Sequence, residues 1–105
     1  MDKNYDLIIE KYAQKDIQDI YNYISYTLLN KEAAIKLLNN INKKLQMIKT
    51  FPKSAPLINN QYVKNKNIMK LLVDNYILFY EVDDNNNEIR IIRVLYGMRN
   101  YINIL

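Results

Sequence analysis

The three arginines of this chain are its clearest candidates for specific chemistry, and all three lie in its last third: Arg90, Arg93 and Arg99. The other basic residues are twelve lysines, so lysine is the usual source of positive charge in this sequence. The arginine head is planar, forked and permanently charged, which lysine cannot imitate. The pattern therefore indicates that arginine serves a specific contact here. The alternative is structural, with Arg90 and Arg93 lying along a strand and stacking on tyrosines.

Two residue types that often carry protein chemistry, cysteine and histidine, are absent. Without cysteine the chain has no disulfides, thiolate metal ligands or thiol nucleophiles. Without histidine, any proton transfer at neutral pH must use Lys, Tyr, Asp, Glu or a group of the substrate. A zinc site is not expected, because only carboxylates remain to bind the ion. The sequence predicts no cofactor and no metal.

The net charge of +4 conceals a segregation of charge along the chain. Residues 31–70 contain nine lysines and a single acidic residue, Glu32, which gives this segment a charge of +8. The remaining residues carry six basic and ten acidic groups, a charge of −4. Concentrated positive charge suggests an acidic partner, either nucleic acid or an acidic protein. The alternative is a solvated, lysine-rich helix.

Residues 13–50 show the hydrophobic period of two amphipathic helices. Asn30 is placed to cap the second helix, with Glu32 in its first turn. Phe51-Pro52 ends that helix, because the residue before a proline disfavours helical geometry. The connection between the helices is very short, so we expect an antiparallel helix hairpin. The apolar stripes are Ile17, Ile20, Tyr21, Ile24 and Leu28 in the first helix and Ala34, Leu37, Leu38, Ile41, Leu45 and Ile48 in the second.

Strands are predicted on both sides of the helices. Residues 52–66 have the composition of a loop, and Asp74-Asn75 suits a two-residue turn with positive φ. The order β-α-α-β-β-β predicts an α+β domain in which the helix hairpin packs on one face of a mainly antiparallel four-stranded sheet. The predicted strands are Tyr5–Glu10, Ile68–Val73, Tyr76–Val82 and Glu88–Leu95.

The length of the chain favours a single domain covering residues 1–105. Three of the first six residues are charged, and the segment lacks the long apolar core of a signal peptide. No window approaches the roughly 20 apolar residues of a membrane span. We therefore expect a soluble cytoplasmic protein with no membrane partner.

Four stretches of the sequence are informative when they are taken together and in order. They are A-x-x-D-I-x-x-I-Y-x-Y-I (13–24), I-K-T-F-P-K-S-A-P (48–56), K-L-L-V-x-N-Y-I-L-F-Y-E-V (70–82) and R-V-L-Y-G-M-R-N-Y (93–101). Together they resemble the RelE/ParE toxin superfamily over nearly the whole chain. Each stretch alone partly reflects the apolar pattern of a hydrophobic core, and it is the four together that carry the resemblance.

The resemblance implies the toxin of a bacterial type II toxin–antitoxin pair, a class linked to growth inhibition and plasmid stabilisation. Such toxins are neutralised by a small, often acidic antitoxin that wraps the helix hairpin and sheet, and the +8 segment fits that partner. The antitoxin usually supplies the DNA-binding part, so we expect no direct sequence-specific DNA binding by this chain. RelE-like members cleave ribosome-bound mRNA through its 2′-hydroxyl, whereas ParE-like members inhibit DNA gyrase.

If the chain is a nuclease of the RelE type, the resemblance implies four catalytic residues. Arg99, two residues beyond Gly97, matches the family's C-terminal arginine and would hold the phosphate in a fork. Tyr101 lies near the position of a stacking or proton-handling tyrosine, although its spacing from the arginine is shorter. Lys70, and Arg93 if its strand face is open, would supply positive charge at the scissile phosphate. The structural alternatives are a solvated Lys70 and a Tyr101 that covers the edge of the core.

Several features depart from the nuclease branch. Ile77 stands in the strand where RelE-like enzymes usually carry a further arginine or a histidine, and the chain has no obvious glutamate base. The two predicted helices are long, as in the ParE-like branch. We therefore predict a ParE-like toxin of DNA gyrase, with a ribosome-dependent mRNA endoribonuclease as the alternative. A third hypothesis is an inactive relative that only binds its antitoxin and represses the operon.

Overall fold

The elements follow the order predicted from the sequence, β-α-α-β-β-β. The structure, a computed structural model, describes residues 5–60, 62–65 and 67–105. Residues 1–4 and Lys66, which entered the predictions above, lie outside the described residues. Within the described ranges, no helix is both long and apolar enough to cross a membrane. The elements are β1 (Asp6–Ile9), α1 (Lys11–Asn22) with a π-helical turn (Tyr23–Thr27), α2 (Lys31–Thr50), β2 (Met69–Val73), β3 (Tyr76–Asp83) and β4 (Glu88–Tyr96).

The four strands form one mixed sheet in the order β1-β4-β3-β2. The β2–β3 and β3–β4 pairs are antiparallel, and β1 lies parallel to β4. A parallel pair needs a long crossover connection, and here the two helices are part of it. The predicted α+β architecture with a mainly antiparallel sheet is confirmed.

The helix hairpin covers one face of the sheet, as predicted. The inner face of α2 is buried at three- and four-residue spacing, and its residues belong to one hydrophobic cluster with Leu78 and Tyr80 of β3 and with Ile89, Ile91 and Val94 of β4. Burying one such aliphatic side chain contributes about 1.5–3 kcal/mol. The buried residues of α2 are Ala34, Leu37, Ile41, Leu45 and Ile48.

The predicted start of α2 is confirmed, whereas the end of the first helix differs from the prediction. Asn30 caps α2, because its side-chain oxygen accepts a hydrogen bond of 3.1 Å from the Ala33 N–H. The predicted stripe of the first helix is wrong at Leu28, which is 54% exposed. The π-helical turn that follows Asn22 changes the helical phase, so Leu28 no longer points at the sheet. Leu29 then takes a left-handed backbone with φ of 52°.

The opposite face of the sheet is also covered, which the sequence analysis did not predict. Ile77, Phe79 and Leu95 project from this face. The connection after α2 covers them with Ile58, Val63 and Ile68, and the C-terminal residues 101–105 pack alongside. These segments have neither helical nor strand periodicity, so their apolar residues were not recognisable as core from spacing alone.

The edge of β4 beyond β1 is closed by a side chain of α1. β1 ends at Ile9, opposite Ile91, so the last part of β4 has no strand on the side away from β3. The Asp16 carboxylate accepts a hydrogen bond of 3.0 Å from the backbone N–H of Val94. The same carboxylate binds Arg93 in a bidentate ion pair, with distances of 2.7 Å to Nε and 2.8 Å to an Nη atom. We call this group of three residues the Asp16 clamp.

The turn between β3 and β4 is organised by a second carboxylate, Asp83. One of its oxygens accepts from the backbone N–H groups of Asn85 and Asn86, and the other accepts from the Asn86 side chain at 2.8 Å. These bonds, chiefly that from the Asn86 side chain, lower the pKa of Asp83 below its ordinary value of 3.8. The ionised carboxylate therefore stabilises the folded state.

We predict that Asp16→Ala lowers the free energy of unfolding by about 3–5 kcal/mol, because it leaves the Arg93 charge without its partner in a largely buried site. Asp19→Ala is the matched control on the same helix, since Asp19 forms an ion pair with exposed Lys15 at the surface. The control should change stability by less than about 1 kcal/mol. Urea denaturation of both variants measures the difference, and equal losses would contradict a special role for Asp16.

We also predict a pH-dependent effect of Asp83→Asn. The folded pKa of Asp83 is depressed, so its stabilising contribution is complete above pH 3.8 and is lost as the pH falls through the lowered value. The stability difference between the original chain and Asp83→Asn should therefore shrink as the solution becomes more acidic. Thermal unfolding of both proteins across this range measures it. A difference that does not change with pH would show that the charge of Asp83 is not involved.

Candidate functional site

Arg99 lies in the turn that follows β4, and a close backbone contact fixes where that turn begins. The Gly97 N–H donates a hydrogen bond of 2.8 Å to the carbonyl of Asn75, and a Cβ at Gly97 would come within 3.1 Å of that oxygen. The Arg99 N–H then donates to the Tyr96 carbonyl at 2.9 Å. The Arg99 side chain is exposed and makes no hydrogen bond or ion pair with any described residue. Its guanidinium is therefore available to an external anion.

Arg99 lines an open groove of about 730 Å³ between the helix hairpin and the end of the sheet. The hairpin supplies a wall that includes Tyr23 and Leu28, each about half exposed. The β2–β3 turn contributes Asp74 to the lining. Among the described residues, the groove thus combines exposed apolar surface with the unpaired cation of Arg99. Its remaining lining residues include Asp16, Asp19, Ile20, Ile24, Asn30, Ala33, Leu37, Asn75, Tyr76, Val94, Leu95 and Tyr96.

Arg93 belongs to the Asp16 clamp and is directed at α1. Its guanidinium carbon lies 5.8 Å from the ring centre of Tyr12, in a cation–π contact. Hydrogen bonding to Asp16 raises the pKa of Arg93 above its ordinary value. The Arg93 side chain is only 20% exposed. The charge of Arg93 is therefore compensated within the protein, and it faces the helix and not open solvent.

Lys70 and Tyr101 come together on the other face of the sheet, around Phe79. Lys70 is the cross-strand partner of Phe79 and is half-buried. The Tyr101 ring packs on Phe79 with 4.9 Å between ring centres. Tyr101 thus covers the hydrophobic cluster on this face of the sheet, in line with the alternative that it covers the edge of the core. Its role in catalysis stays a prediction.

The four predicted site residues consequently fall on two surfaces. Arg99 lines the groove that Asp16 also lines, and Arg93 is bound to that carboxylate. Lys70 and Tyr101 lie at the second face, where Ile77 is buried beside Phe79 and Leu95. At the position where a nuclease of the RelE type would carry a further cation, the side chain is an aliphatic one within a hydrophobic cluster.

Arg90 has a structural environment that the sequence analysis described only in part. Its guanidinium reaches three carboxylates, at 3.6 Å to Glu81, 3.1 Å to Asp83 and 3.0 Å to Glu88. It lies along a strand, as the structural alternative proposed, and it pairs with acids where tyrosines were expected. Its charge is balanced by these neighbours.

Asp16 is the residue near the site that sequence reasoning overlooked. Its spacing contained a signal, because it lies three residues after Ala13 and four before Ile20 and so falls on the buried stripe of α1. Acidic side chains are rarely buried without a partner. A carboxylate on this stripe therefore called for a buried cation or backbone donor, which Arg93 and Val94 supply.

Comparison with solved structures finds the same fold in bacterial and archaeal proteins. The chromosomal ParDE toxin–antitoxin system from P. aeruginosa gives a TM-score of 0.71 at 17% identity, covering 90% of this chain and 97% of that chain. The archaeal RelE–RelB complex from Pyrococcus horikoshii OT3 gives 0.61 at 13% identity, with coverages of 92% and 99%. The isolated E. coli RelE toxin gives 0.60 at 19% identity, with coverages of 95% and 92%. At these identities the likeness establishes the fold.

The sequence itself provides the assignment to a family. A search of curated proteins gave no match. The family model described as the ParE toxin of the type II toxin–antitoxin system parDE matches residues 7–101, which include every element of the fold except the first residue of β1. The chain therefore belongs to the family of ParE toxins of type II toxin–antitoxin systems.

Proposed function

We propose that this chain is a growth inhibitor of the ParE type that acts on DNA gyrase in the cytoplasm and is held inactive by a cognate antitoxin. Membership of the ParE toxin family supports the toxin role. The choice of gyrase over the ribosome rests on the arrangement of the charged side chains in this particular chain.

The observation that carries the proposal is the dispersal of the residues that RNA cleavage would need. Cleavage through a 2′-hydroxyl requires a base, an acid and positive charge converging on one phosphate. Here Arg93 is bound to Asp16, and Lys70 and Tyr101 flank a hydrophobic cluster that includes Ile77. The second face of the sheet is filled by packed side chains and offers no convergent set of catalytic groups among the described residues.

The groove beside Arg99 is the surface that fits a binding role. It presents Tyr23 and Leu28 as exposed apolar contacts and Arg99 as an unpaired cation. Aromatic residues and arginine are the residue types that dominate the energy of protein–protein interfaces. A protein target or an antitoxin segment would bury these residues on binding.

An antitoxin partner is supported by two observations. The solved structures of the same fold include the chromosomal ParDE toxin–antitoxin system of P. aeruginosa and the RelE–RelB complex of P. horikoshii OT3. The +8 segment of this chain also provides long-range attraction for an acidic partner. An antitoxin seated in the groove would cover Arg99 and so block the surface that we assign to the target.

We predict that the purified chain inhibits supercoiling of relaxed plasmid by DNA gyrase and leaves ribosome-bound mRNA intact. Primer extension on mRNA from a reconstituted translation reaction is the parallel assay. Discrete ribosome-dependent cuts with normal supercoiling would contradict the gyrase assignment and favour the nuclease branch. A chain that does not arrest growth when induced alone would favour the inactive relative.

We predict that Arg99→Ala raises the concentration needed for half-inhibition of gyrase by about tenfold, the equivalent of about 1.4 kcal/mol of lost binding. Stability should change by less than about 0.5 kcal/mol, because the exposed side chain has no partner to lose among the described residues. Lys11→Ala, at the start of α1 and away from the groove lining, is the control for loss of one exposed positive charge. Equal inhibition by Arg99→Ala and the original chain would remove Arg99 from the site.

A further inference from the structure

The outer side of α2 is a strongly basic surface that the proposed site does not use. Four lysines of this helix are exposed, and none of them forms an ion pair with a residue that the structure describes. Glu32 is the single acidic residue of α2. We call this surface the lysine face, defined by its four exposed lysines, Lys31, Lys36, Lys43 and Lys49.

The residues between these lysines are almost entirely polar. The exposed positions include Asn39, Asn42, Gln46 and Thr50, and the only large hydrophobic residue exposed on α2 is Ile35, at 45%. A protein partner would find almost no apolar side chain to bury here, and buried aromatic or apolar anchors supply most of the energy in protein interfaces. Lysine, asparagine, glutamine and threonine are instead the side chains that contact phosphate and sugar in nucleic-acid complexes.

The dimensions of α2 suit an extended polyanion. A helix of 20 residues is about 30 Å long. That length corresponds to roughly nine base pairs of duplex DNA at 3.4 Å per step. The lysine face contains no arginine, the residue that most often reads bases through paired hydrogen bonds. It therefore offers phosphate contacts without a means of recognising sequence.

We propose that the lysine face of α2 binds the phosphate backbone of a nucleic-acid duplex without regard to sequence. The site is separate from the groove, to which α2 contributes only Ala33 and Leu37 from its opposite side. The inference does not rest on gyrase as the target, because it uses only the charge and composition of α2. Binding at the lysine face leaves the groove open to a protein.

The test is fluorescence anisotropy of labelled duplex DNA and duplex RNA with the full chain, as salt is raised from about 50 to 200 mM. Four lysine–phosphate contacts predict that binding to DNA weakens by about a hundredfold over this range. Lys36→Gln/Lys43→Gln should reduce the slope of log affinity against log salt by about 1.8. Both positions are exposed, so the fold should be preserved.

The matched control is Lys11→Gln/Lys15→Gln, which removes the same charge from α1. Both control residues are exposed, and Lys15 is paired with Asp19. The proposal holds if the α2 variant binds more weakly and with a smaller salt dependence while the control keeps both its affinity and its salt dependence. The titrations with duplex DNA and duplex RNA then identify the preferred duplex. Equal losses in the two variants would show that net charge alone is responsible and would overturn it. It would also be overturned if polyglutamate bound in place of either duplex, since that result assigns the face to an acidic protein.

Discussion

The carboxylate of Asp16 takes the place of a strand beside the free part of β4, and the arrangement of the charged residues depends on it. β1 is too short to accompany β4 along its full length, so the backbone beyond Ile91 lacks a neighbour on that side. Asp16 supplies an acceptor to the Val94 N–H and a counter-charge to Arg93. A buried backbone donor without a partner is costly, and this one carboxylate satisfies it while joining α1 to the sheet.

The three arginines have different roles because their surroundings differ. Arg93 is neutralised by Asp16 and Arg90 by three acids of β3 and β4, so both act within the fold. Arg99 follows β4 in an exposed turn and keeps its charge free of any described partner. The chemistry expected of three arginines is thereby reduced to one available guanidinium, which lies in a groove with apolar walls. Such a surface suits binding better than phosphate cleavage.

The sheet is covered on both faces, and this divides the surface of the protein into distinct regions. The helix hairpin covers one face and leaves the groove at its tip, while the connection after α2 and the C-terminal residues close the other around Phe79. The exposed side of α2 is basic and nearly free of apolar residues. The proposed protein-binding groove and the proposed polyanion-binding face of α2 can therefore operate side by side, because neither draws on the residues of the other.

The sequence by itself determined the order of the elements, the Asn30 cap, the helix hairpin and each strand boundary to within one residue. These features depend on local periodicity and on capping and turn residues, which act over a few positions. It also singled out Arg99, Lys70, Tyr101 and Arg93 as candidates. Only the tertiary structure decided where those four side chains lie relative to one another.

The bulge between β3 and β4 illustrates why the sequence alone could not place these side chains. Tyr80 pairs with Ile91 and Phe79 with Arg93, so Ile92 is an extra residue and the strand alternation shifts beyond it. Val94 consequently enters the helix-side core, and Arg93 meets Asp16, 77 positions away in the chain. A contact of that separation depends on how the whole sheet and α1 pack together. No pattern of neighbouring residues encodes it, so the partner of Arg93 could be known only from the folded chain.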